Sequence, residues 1–352
     1  MQLQQLSYFL AVAQARHFTR AADALGVAQP SLSKQIRTLE TELGASLFSR
    51  ARGNITLTPA GEALLPLATR ILADVDTARL EVQELAGLRR GRVRLGATPS
   101  LCSGLLADAL RRYHDAYPGI RLLVEEGGSR DLVRQLTRGA LDSALVILPL
   151  GEDTPLATTP ILREDLVVTA RVDDSSLPQR PHLRITDLRD RPLVMFRPGY
   201  DLREATIGAC REAGFEPRFA VEGGEMDAVL RFVEVGLGIA VVPSTVLAGR
   251  PGLRGIPLSG DGGRESHGLH RTVALAHRKD VTPTHAAGAF RATLESFVRE
   301  AAASGGLPAG VRSLLPHAGA TGPEVATGTR GLGDDQNLAE PLEFGLRKSI
   351  GE

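Results

Sequence analysis

The sequence predicts an α+β multidomain protein with a winged helix-turn-helix at its N-terminus, a long linker helix, and a two-lobed α/β domain at its C-terminus. Three features predict this class. Short amphipathic helices open the chain, an apolar repeat of period seven follows them, and strand and helix patterns alternate from residue 92 onwards. We expect the three parts to occupy residues 1–58, 59–90 and 91–302, with a tail over 303–352.

Composition narrows the class of protein before any motif is considered. The 352-residue chain is 43% hydrophobic and carries no net formal charge, which is typical of globular domains. Its two cysteines, Cys102 and Cys210, are far apart in sequence and form no disulfide framework. No stretch reaches the ~18 apolar residues of a membrane span, and the N-terminus has no secretory signal pattern. We therefore expect a soluble, cytoplasmic protein that does not contact membranes.

The first three helices have the pattern of a helix-turn-helix. We expect helices over about 3–15, from Thr19 as N-cap to Gly26, and from Pro30 to about Leu43. Only a four-residue segment beginning at Gly26 separates the second helix from the third. A turn this short that contains glycine is typical of helix-turn-helix units.

The third helix has a polar, basic face opposite its apolar face. Such a helix fits the major groove of DNA, where polar side chains reach base edges and cations reach phosphates. A Gly53-Asn54 turn between short extended runs predicts a two-stranded wing with arginines near its tip. A solvated face on an unrelated three-helix unit would explain each residue singly, but not the turn and the wing together. The candidate DNA-binding residues are Gln29, Pro30, Ser31, Ser33, Lys34, Arg37, Arg50 and Arg52.

The linker helix is expected to begin at Thr58-Pro59 and to run to about Leu88. Its ~30 residues would span about 45 Å. A narrow apolar seam on so long a helix needs a partner helix, so we expect a homodimer formed through residues 64–85. The seam residues are Leu64, Ala68, Ile71, Val75, Ala78, Val82 and Leu85.

The C-terminal part alternates strands and helices, which predicts a largely parallel sheet in each of two lobes. We expect lobe 1 at about 91–161 and 268–302, and lobe 2 at about 162–267. The chain would cross between the lobes near 162 and 268. The tail over 303–352 contains ten glycines and is expected to be mostly disordered.

A small-molecule effector is expected in the cleft between the lobes, because ligands of α/β lobes bind beyond the carboxyl ends of strands. The first strand ends at Thr98-Pro99-Ser100, where free N–H groups at a helix start would favour an anion. Thr98 and Ser100 serving only as helix caps, and Arg197 as a surface arginine, remain alternatives. The candidate effector-binding residues are Thr98, Ser100, Ser129, Arg197 and Tyr200.

The segment FTRAADALGVAQPSLSKQIRTLE, residues 18–40, closely resembles the signature of LysR-type transcriptional regulators. The resemblance implies a periplasmic-binding-protein-like effector domain, promoter DNA as partner, and a homodimer that usually becomes a tetramer. RNA polymerase is a further candidate partner. The likeness covers about residues 1–300 and leaves the tail unexplained. It continues at Leu43-Gly44, Leu47-Phe48, Arg50 and 57–62, and more loosely at 92–97, 139–142 and 235–240.

Other functional classes find little support in the sequence. Peroxide-sensing members of the family carry two cysteines; Cys210 matches one position, but Asp201 occupies the reactive one, so a disulfide switch is not expected. No Gly-x-Ser-x-Gly elbow, phosphate loop or zinc-protease motif is present. We therefore expect no enzyme activity, no cofactor and no metal. A small-molecule binding protein without a DNA role is the alternative, but it would have no use for residues 1–62.

Overall fold

The computed structural model describes residues 1–49, 55–84, 91–151, 154–178, 180–259 and 269–316. Residues 1–315 form one compact unit. Within the described ranges, no helix is long and apolar enough to cross a membrane.

Three helices build the N-terminal domain: α1 (Leu3–Ala15), α2 (Phe18–Leu25) and α3 (Gln29–Leu43). Gly26 and Gly44 end α2 and α3 in the left-handed conformation, with φ of 65° and 68°, where glycine carries no steric cost. The helices enclose a core of buried side chains. Its largest members are Leu6, Phe9, Leu32, Ile36 and Leu39.

The start of α2 differs from the prediction. Thr19 lies inside the helix, and His17 is the N-cap, its Nδ1 accepting a hydrogen bond from the Arg20 N–H at 3.4 Å. Thr19 as N-cap was therefore wrong. An imidazole nitrogen can take the role that serine, threonine or aspartate usually has.

The wing and the linker helix follow directly. Strand β1 (Phe48–Ser49) pairs antiparallel with β2 (Thr56–Leu57), and α4 (Pro59–Glu84) comes next. The hydroxyl of Thr58 accepts from the Gly61 N–H at 3.1 Å, which confirms Thr58 as the cap of this helix. The rest of the helix predicted to Leu88 lies outside the described residues.

The apolar seam of α4 is only partly free. Leu64, Ala68 and Ile71 pack against the core of the N-terminal helices, and Ala68 is fully buried within the chain. The expectation of an uninterrupted seam facing a partner is therefore wrong at Ala68, because α1 and α4 pack against each other. Val82, near the end of α4, is 71% exposed and remains available to a partner.

The C-terminal domain begins with lobe 1 and continues, through one long strand, into lobe 2. A π-helical turn lies at Cys102–Leu106, and 3₁₀ turns lie at Ile185–Leu188 and Ser244–Leu247. The elements up to β6 are β3 (Gly91–Ala97), α5 (Pro99–Leu101), α6 (Ala107–Ala116), β4 (Ile120–Glu126), α7 (Ser129–Thr137), β5 (Ser143–Leu148) and β6 (Leu156–Arg171). Those after β6 are β7 (Leu183–Arg184), β8 (Pro192–Met195), α8 (Asp201–Glu212), β9 (Arg218–Glu222), α9 (Met226–Glu234), β10 (Ala240–Pro243), β11 (Leu253–Ser259), β12 (His270–Arg278), α10 (His285–Ala303) and β13 (Val311–Ser313).

One strand, β6, belongs to both lobes. In lobe 1 the strand order is β4-β3-β5-β12-β6, and in lobe 2 β6 pairs with β10 and β11. Pairing with β12 ends at Asp165 and pairing with β10 begins at Leu166, so the chain crosses between lobes there. The crossing predicted near residue 268 lies outside the described residues.

The sheets are mixed rather than largely parallel. Strands β3, β4 and β5 pair in parallel, as do β8 and β9, but every partner of β6 runs antiparallel to it. The prediction was wrong around β6, because a strand that carries the chain across both lobes brings the following strands back against its own direction.

The chain beyond residue 302 is partly structured. Helix α10 ends at Ala303, β13 adds to the edge of β6, and Leu315 is buried in the core of lobe 1. The prediction of disorder from residue 303 onwards was therefore wrong for residues 303–316. There, a three-residue strand and one apolar side chain pack on lobe 1. Residues 317–352 lie outside the described part of the chain.

Candidate DNA-binding surface and effector cleft

Helix α3 presents a basic, polar face away from the N-terminal core. Ser31, Lys34 and Arg37 are exposed, as is Pro30 at its first turn. Within the part of the chain that the structure describes, neither Lys34 nor Arg37 has an ion-pair partner. Two unpaired cations on one exposed helix face are suited to neutralising phosphates.

The start of α3 is held by its own polar side chains. Gln29 and Ser33 are half-buried, and the Gln29 amide donates to the Ser33 hydroxyl at 2.8 Å. Sequence reasoning omitted Arg20, an exposed cation at the first turn of α2. Its position on the first helix of the motif was the available signal, since that helix crosses the DNA backbone in helix-turn-helix complexes.

The wing is fixed to both neighbouring helices. The Glu40 carboxylate of α3 accepts from the Leu47 N–H at 2.8 Å, and the Thr58 N–H donates to the Leu47 carbonyl at 3.0 Å. Gly61 packs so closely that a Cβ there would lie 2.2 Å from the same carbonyl oxygen. Arg50 and Arg52, predicted at the wing tip, lie outside the described residues.

In the C-terminal domain, a buried polar network lies at the junction of the two lobes. Arg271 of β12 and Glu164 of β6 face each other across the strands and form an ion pair, with Nε 2.8 Å from Oε2. Arg271 Nη1 donates to the Ser100 hydroxyl at 2.9 Å, and Thr98 Oγ1 lies 3.5 Å from Ser100 Oγ. The other oxygen of Glu164 accepts from Thr245 in lobe 2. The network therefore joins both lobes at the predicted effector end of β3.

The network has donor capacity left over. Arg271 Nη2 lies 2.7 Å from Glu164 Oε2, but no hydrogen bond of acceptable geometry forms at that nitrogen among the described residues. The Thr98 side chain makes no hydrogen bond that caps α5, so the alternative that Thr98 serves only as a helix cap is not supported. Sequence reasoning found Thr98 and Ser100 but missed Glu164 and Arg271. They are 107 residues apart, and no local pattern connects them.

The lobes touch where α7 and α8 begin. The Ser129 hydroxyl donates to Asp201 of lobe 2 at 2.8 Å and accepts from the Ile147 N–H at 3.0 Å. Beside this bond, a Cβ on Gly128 would lie 2.9 Å from the Gly199 carbonyl oxygen. Ser129 thus forms a lobe-to-lobe contact, and Asp201 is a further cleft residue.

Tyr200 and Arg197 lie on the lobe 2 side. The Tyr200 ring stacks on Phe196 with centroids 4.7 Å apart and is 3% exposed, while its hydroxyl has no partner among the described residues. Burial raises the pKa of Tyr200 well above its usual range, so the hydroxyl stays protonated. Arg197 donates from Nε to Glu225 at 2.9 Å and is partly exposed.

Both thiols lie in surroundings that suppress their reactivity. Burial raises the pKa of Cys102 and of Cys210 to about 11, with a smaller contribution from nearby glutamates. Reactive cysteines have a lowered pKa, because the thiolate is the nucleophile. Among the described residues, no group of three or more His, Cys, Asp or Glu side chains could hold a metal ion.

The linker helix is tied to lobe 1 at the far end of β12. Arg278, 9% exposed, pairs with Asp74 of α4 at 2.7 Å and with Asp280 at 3.0 Å. Gly139 allows this approach, since a Cβ there would lie 2.9 Å from the Ala73 methyl group. Strand β12 thus carries Arg271 in the cleft at one end and the anchor of α4 at the other.

Comparison with known families identifies both halves of the chain. Residues 3–62 match the model of the bacterial regulatory helix-turn-helix protein, lysR family, and residues 86–299 match that of the LysR substrate binding domain. The chain belongs to the LysR family. It is a DNA-binding transcriptional regulator with an effector-binding domain.

Relatives of this LysR-type regulator are transcriptional regulators too. It is 33% identical to the transcriptional dual regulator GltC of Bacillus subtilis, over 70% of this chain and 82% of GltC. It is 34% identical to a probable hydrogen peroxide-inducible genes activator of Streptomyces viridosporus, over 78% and 88% of the two chains. Full-length CbnR in complex with its target DNA superposes with a TM-score of 0.63 at 26% identity, covering 86% of this chain and all of CbnR.

Proposed function

We propose that this LysR-type regulator binds promoter DNA through the exposed face of α3, and that a small molecule held between the lobes modulates this binding. The observation that carries the proposal is the exposed charge of Lys34 and Arg37, which form no ion pair with any described residue, on the helix after the tight turn. A helix in this position of the motif lies in the major groove.

The residues divide by the chemistry they offer to DNA. Lys34 would neutralise phosphate, and Arg37 would contact phosphate or guanine. Gln29 can pair with adenine, whereas serine hydroxyls can reach either bases or phosphates. We assign the groove contacts to Gln29, Pro30, Ser31, Ser33, Lys34 and Arg37, and those of the wing to Arg50 and Arg52.

We further propose that dimers form through the part of α4 left exposed, and that pairs of dimers assemble on a longer operator. A dimer presents two α3 helices, which predicts half-sites about one helical turn, ~10 base pairs, apart. The protein would act in the cytoplasm, with RNA polymerase as a further candidate partner. We infer a role in binding and no enzyme activity.

Promoter binding is tested by fluorescence anisotropy on DNA from the neighbourhood of the gene. Affinity should fall steeply as salt is raised, because each phosphate contact releases condensed counterions. Absent or salt-insensitive binding would favour the alternative, a small-molecule binding protein without a DNA role.

Replacement of Arg37 by alanine should weaken operator binding by about 1–3 kcal/mol, as for a side chain that contacts a base edge. Size-exclusion chromatography should show the oligomer unchanged, since Arg37 is exposed on α3. Arg121→Ala, which removes an exposed arginine from lobe 1, serves as the matched control and should bind normally. Wild-type affinity in Arg37→Ala would contradict the assigned contact.

Replacement of Ser100 by alanine should blunt the effector response while promoter binding is kept. The change removes the hydroxyl that accepts from Arg271 and that we place against the effector. The readout is the induction ratio of a promoter–reporter fusion, with Ser103→Ala, on the neighbouring π-helical turn, as the control. Normal induction in Ser100→Ala would remove this serine from the effector site.

We infer that thiol oxidation is not the trigger, although relatives include hydrogen peroxide-inducible activators. Cys210 is fully buried, and Asp201, which the family resemblance places at the reactive position, bonds to Ser129. Burial holds the pKa of Cys210 at about 11, which leaves little thiolate at neutral pH.

A further inference from the structure

Acidic side chains from both lobes meet at the mouth of the cleft. Glu126 ends β4 in lobe 1, whereas Glu225 and Asp227 lie at the start of α9 in lobe 2. Partial burial raises the pKa of Glu126, and the negative charges of Glu225 and Asp227 raise it further. The geometry places them at the same junction. Glu126 lies opposite Ala97 at the end of β3, and a Cβ on Gly128 would lie 2.9 Å from the Gly199 carbonyl oxygen of lobe 2. The Arg197 N–H in turn donates to the carbonyl of Gly224, next to Glu225, at 3.2 Å.

Two of these three acids already have ion-pair partners. Glu225 pairs with Arg197 at 2.9 Å, and Asp227 pairs with Arg250 at 2.6 Å. Arg271 pairs with the buried Glu164 at 2.7 Å. In the described ranges of the chain, Glu126 has no ion-pair partner. Glu126 therefore carries the uncompensated negative charge at the mouth of the cleft.

A buried hydroxyl without a partner lies beside the same charges. Tyr200 is 3% exposed, and no described residue hydrogen-bonds to its hydroxyl. The Arg197 guanidinium, which pairs with Glu225, lies over the Tyr200 ring, 5.9 Å from its centroid. A buried hydroxyl without a hydrogen bond is unfavourable, because it has lost the bonds that it makes to water. A bound molecule that accepts a hydrogen bond there removes this cost.

The charges discriminate between classes of effector. A purely anionic effector finds hydrogen-bond donors at Ser100 and Arg271, but the charge of Arg271 is already balanced by Glu164. Glu126 would in addition repel it. An effector that also carries an ammonium group would be attracted to Glu126 instead of repelled. Its carboxylate could still accept hydrogen bonds from Ser100 and Arg271.

We propose that the effector is a zwitterionic molecule of the amino-acid type, whose protonated amine binds at Glu126. Its carboxylate binds at Ser100 and Arg271 and accepts from the Tyr200 hydroxyl. This assignment rests on the proposed role of the cleft as the effector site. The sequence alone favoured an anionic effector. The effector proposed here carries a positive charge as well.

The test is isothermal titration of the full-length protein with the standard α-amino acids, beside a set of amine-free carboxylic acids. For each amino acid that binds, the matching 2-hydroxy acid should bind at least about tenfold more weakly. Glu126→Gln should weaken amino-acid binding about tenfold and leave 2-hydroxy-acid binding unchanged. Glu125→Gln changes the neighbouring exposed glutamate of the same strand and should have no effect.

The outcomes separate this assignment from the proposed function. Amine-free acids that bind as tightly as amino acids overturn the amine assignment, and the cleft remains the effector site where Ser100→Ala weakens them. If neither Glu126→Gln nor Ser100→Ala changes amino-acid binding, the ligand binds elsewhere. That result overturns both the amine assignment and the cleft as the effector site. A panel in which no amino acid binds also overturns the amine assignment, while the reporter assay decides the role of the cleft independently.

Discussion

Replacement of Glu164 by alanine is expected to destabilise the C-terminal, effector-binding domain by about 3–5 kcal/mol, because it leaves a buried guanidinium without its counter-charge. Arg271 is 5% exposed, and Glu164 is its ion-pair partner in the described structure. The same carboxylate accepts from Thr245, so its loss also breaks a bond between the lobes. Urea denaturation followed by far-UV circular dichroism should show a lower urea midpoint than that of the wild type.

A matched glutamate tests whether burial causes the effect. Glu216→Ala removes the acid of an exposed pair with Arg211 and should leave the urea midpoint unchanged. The double variant Glu164→Ala/Arg271→Ala should lose less stability than the sum of its single variants, because no charge remains stranded. A Glu164→Ala protein that unfolds like the wild type would show that water reaches and satisfies Arg271.

Replacement of Gly61 by alanine is expected to destabilise the N-terminal domain by about 1–3 kcal/mol and to weaken promoter binding. The added Cβ would lie 2.2 Å from the Leu47 carbonyl oxygen, which belongs to the backbone and cannot rotate away. That carbonyl also accepts from the Thr58 N–H at 3.0 Å. Either the wing or the first turn of α4 must shift, and both orient the DNA-binding face. Thermal unfolding and anisotropy on the same preparation measure the two effects.

Gly208 provides the control within a helix. It lies in α8, and a Cβ there would meet no atom within 4 Å. Gly208→Ala should therefore stabilise the protein by about 0.5–1 kcal/mol, the ordinary gain of alanine over glycine in a helix. Gly61→Ala behaving like Gly208→Ala would contradict the close contact between α4 and the wing.

Sequence patterns locate the N-terminal elements because the determinants there are local. The bounds of α1, Leu3–Ala15, follow from apolar spacing, and Gly26 and Gly44 mark helix ends by backbone conformation alone. Ala68 shows the limit of periodicity. The repeat identifies the apolar side of α4, but not whether a partner chain or α1 covers it.

Only part of the cleft could be predicted, because a local sequence pattern does not show which distant elements pack together. Thr98 and Ser100 follow a recognisable strand, but Arg271 comes from a strand 107 residues away from its partner Glu164. Such a pair is created by the strand register between β6 and β12, which a single sequence does not display. The docking of residues 311–315 escaped notice because three residues are too few to show an alternating pattern.

Strand β12 has a mechanical consequence for signalling. Arg271 and Arg278 lie near its two ends, about 23 Å apart at the usual rise of an extended chain. Hydrogen bonds to β5 on one side and β6 on the other prevent the strand from sliding alone. A rotation of this sheet on ligand binding would therefore displace Arg271 and the partner of Asp74, Arg278, together, and so reach the helix that leads to the DNA-binding domain.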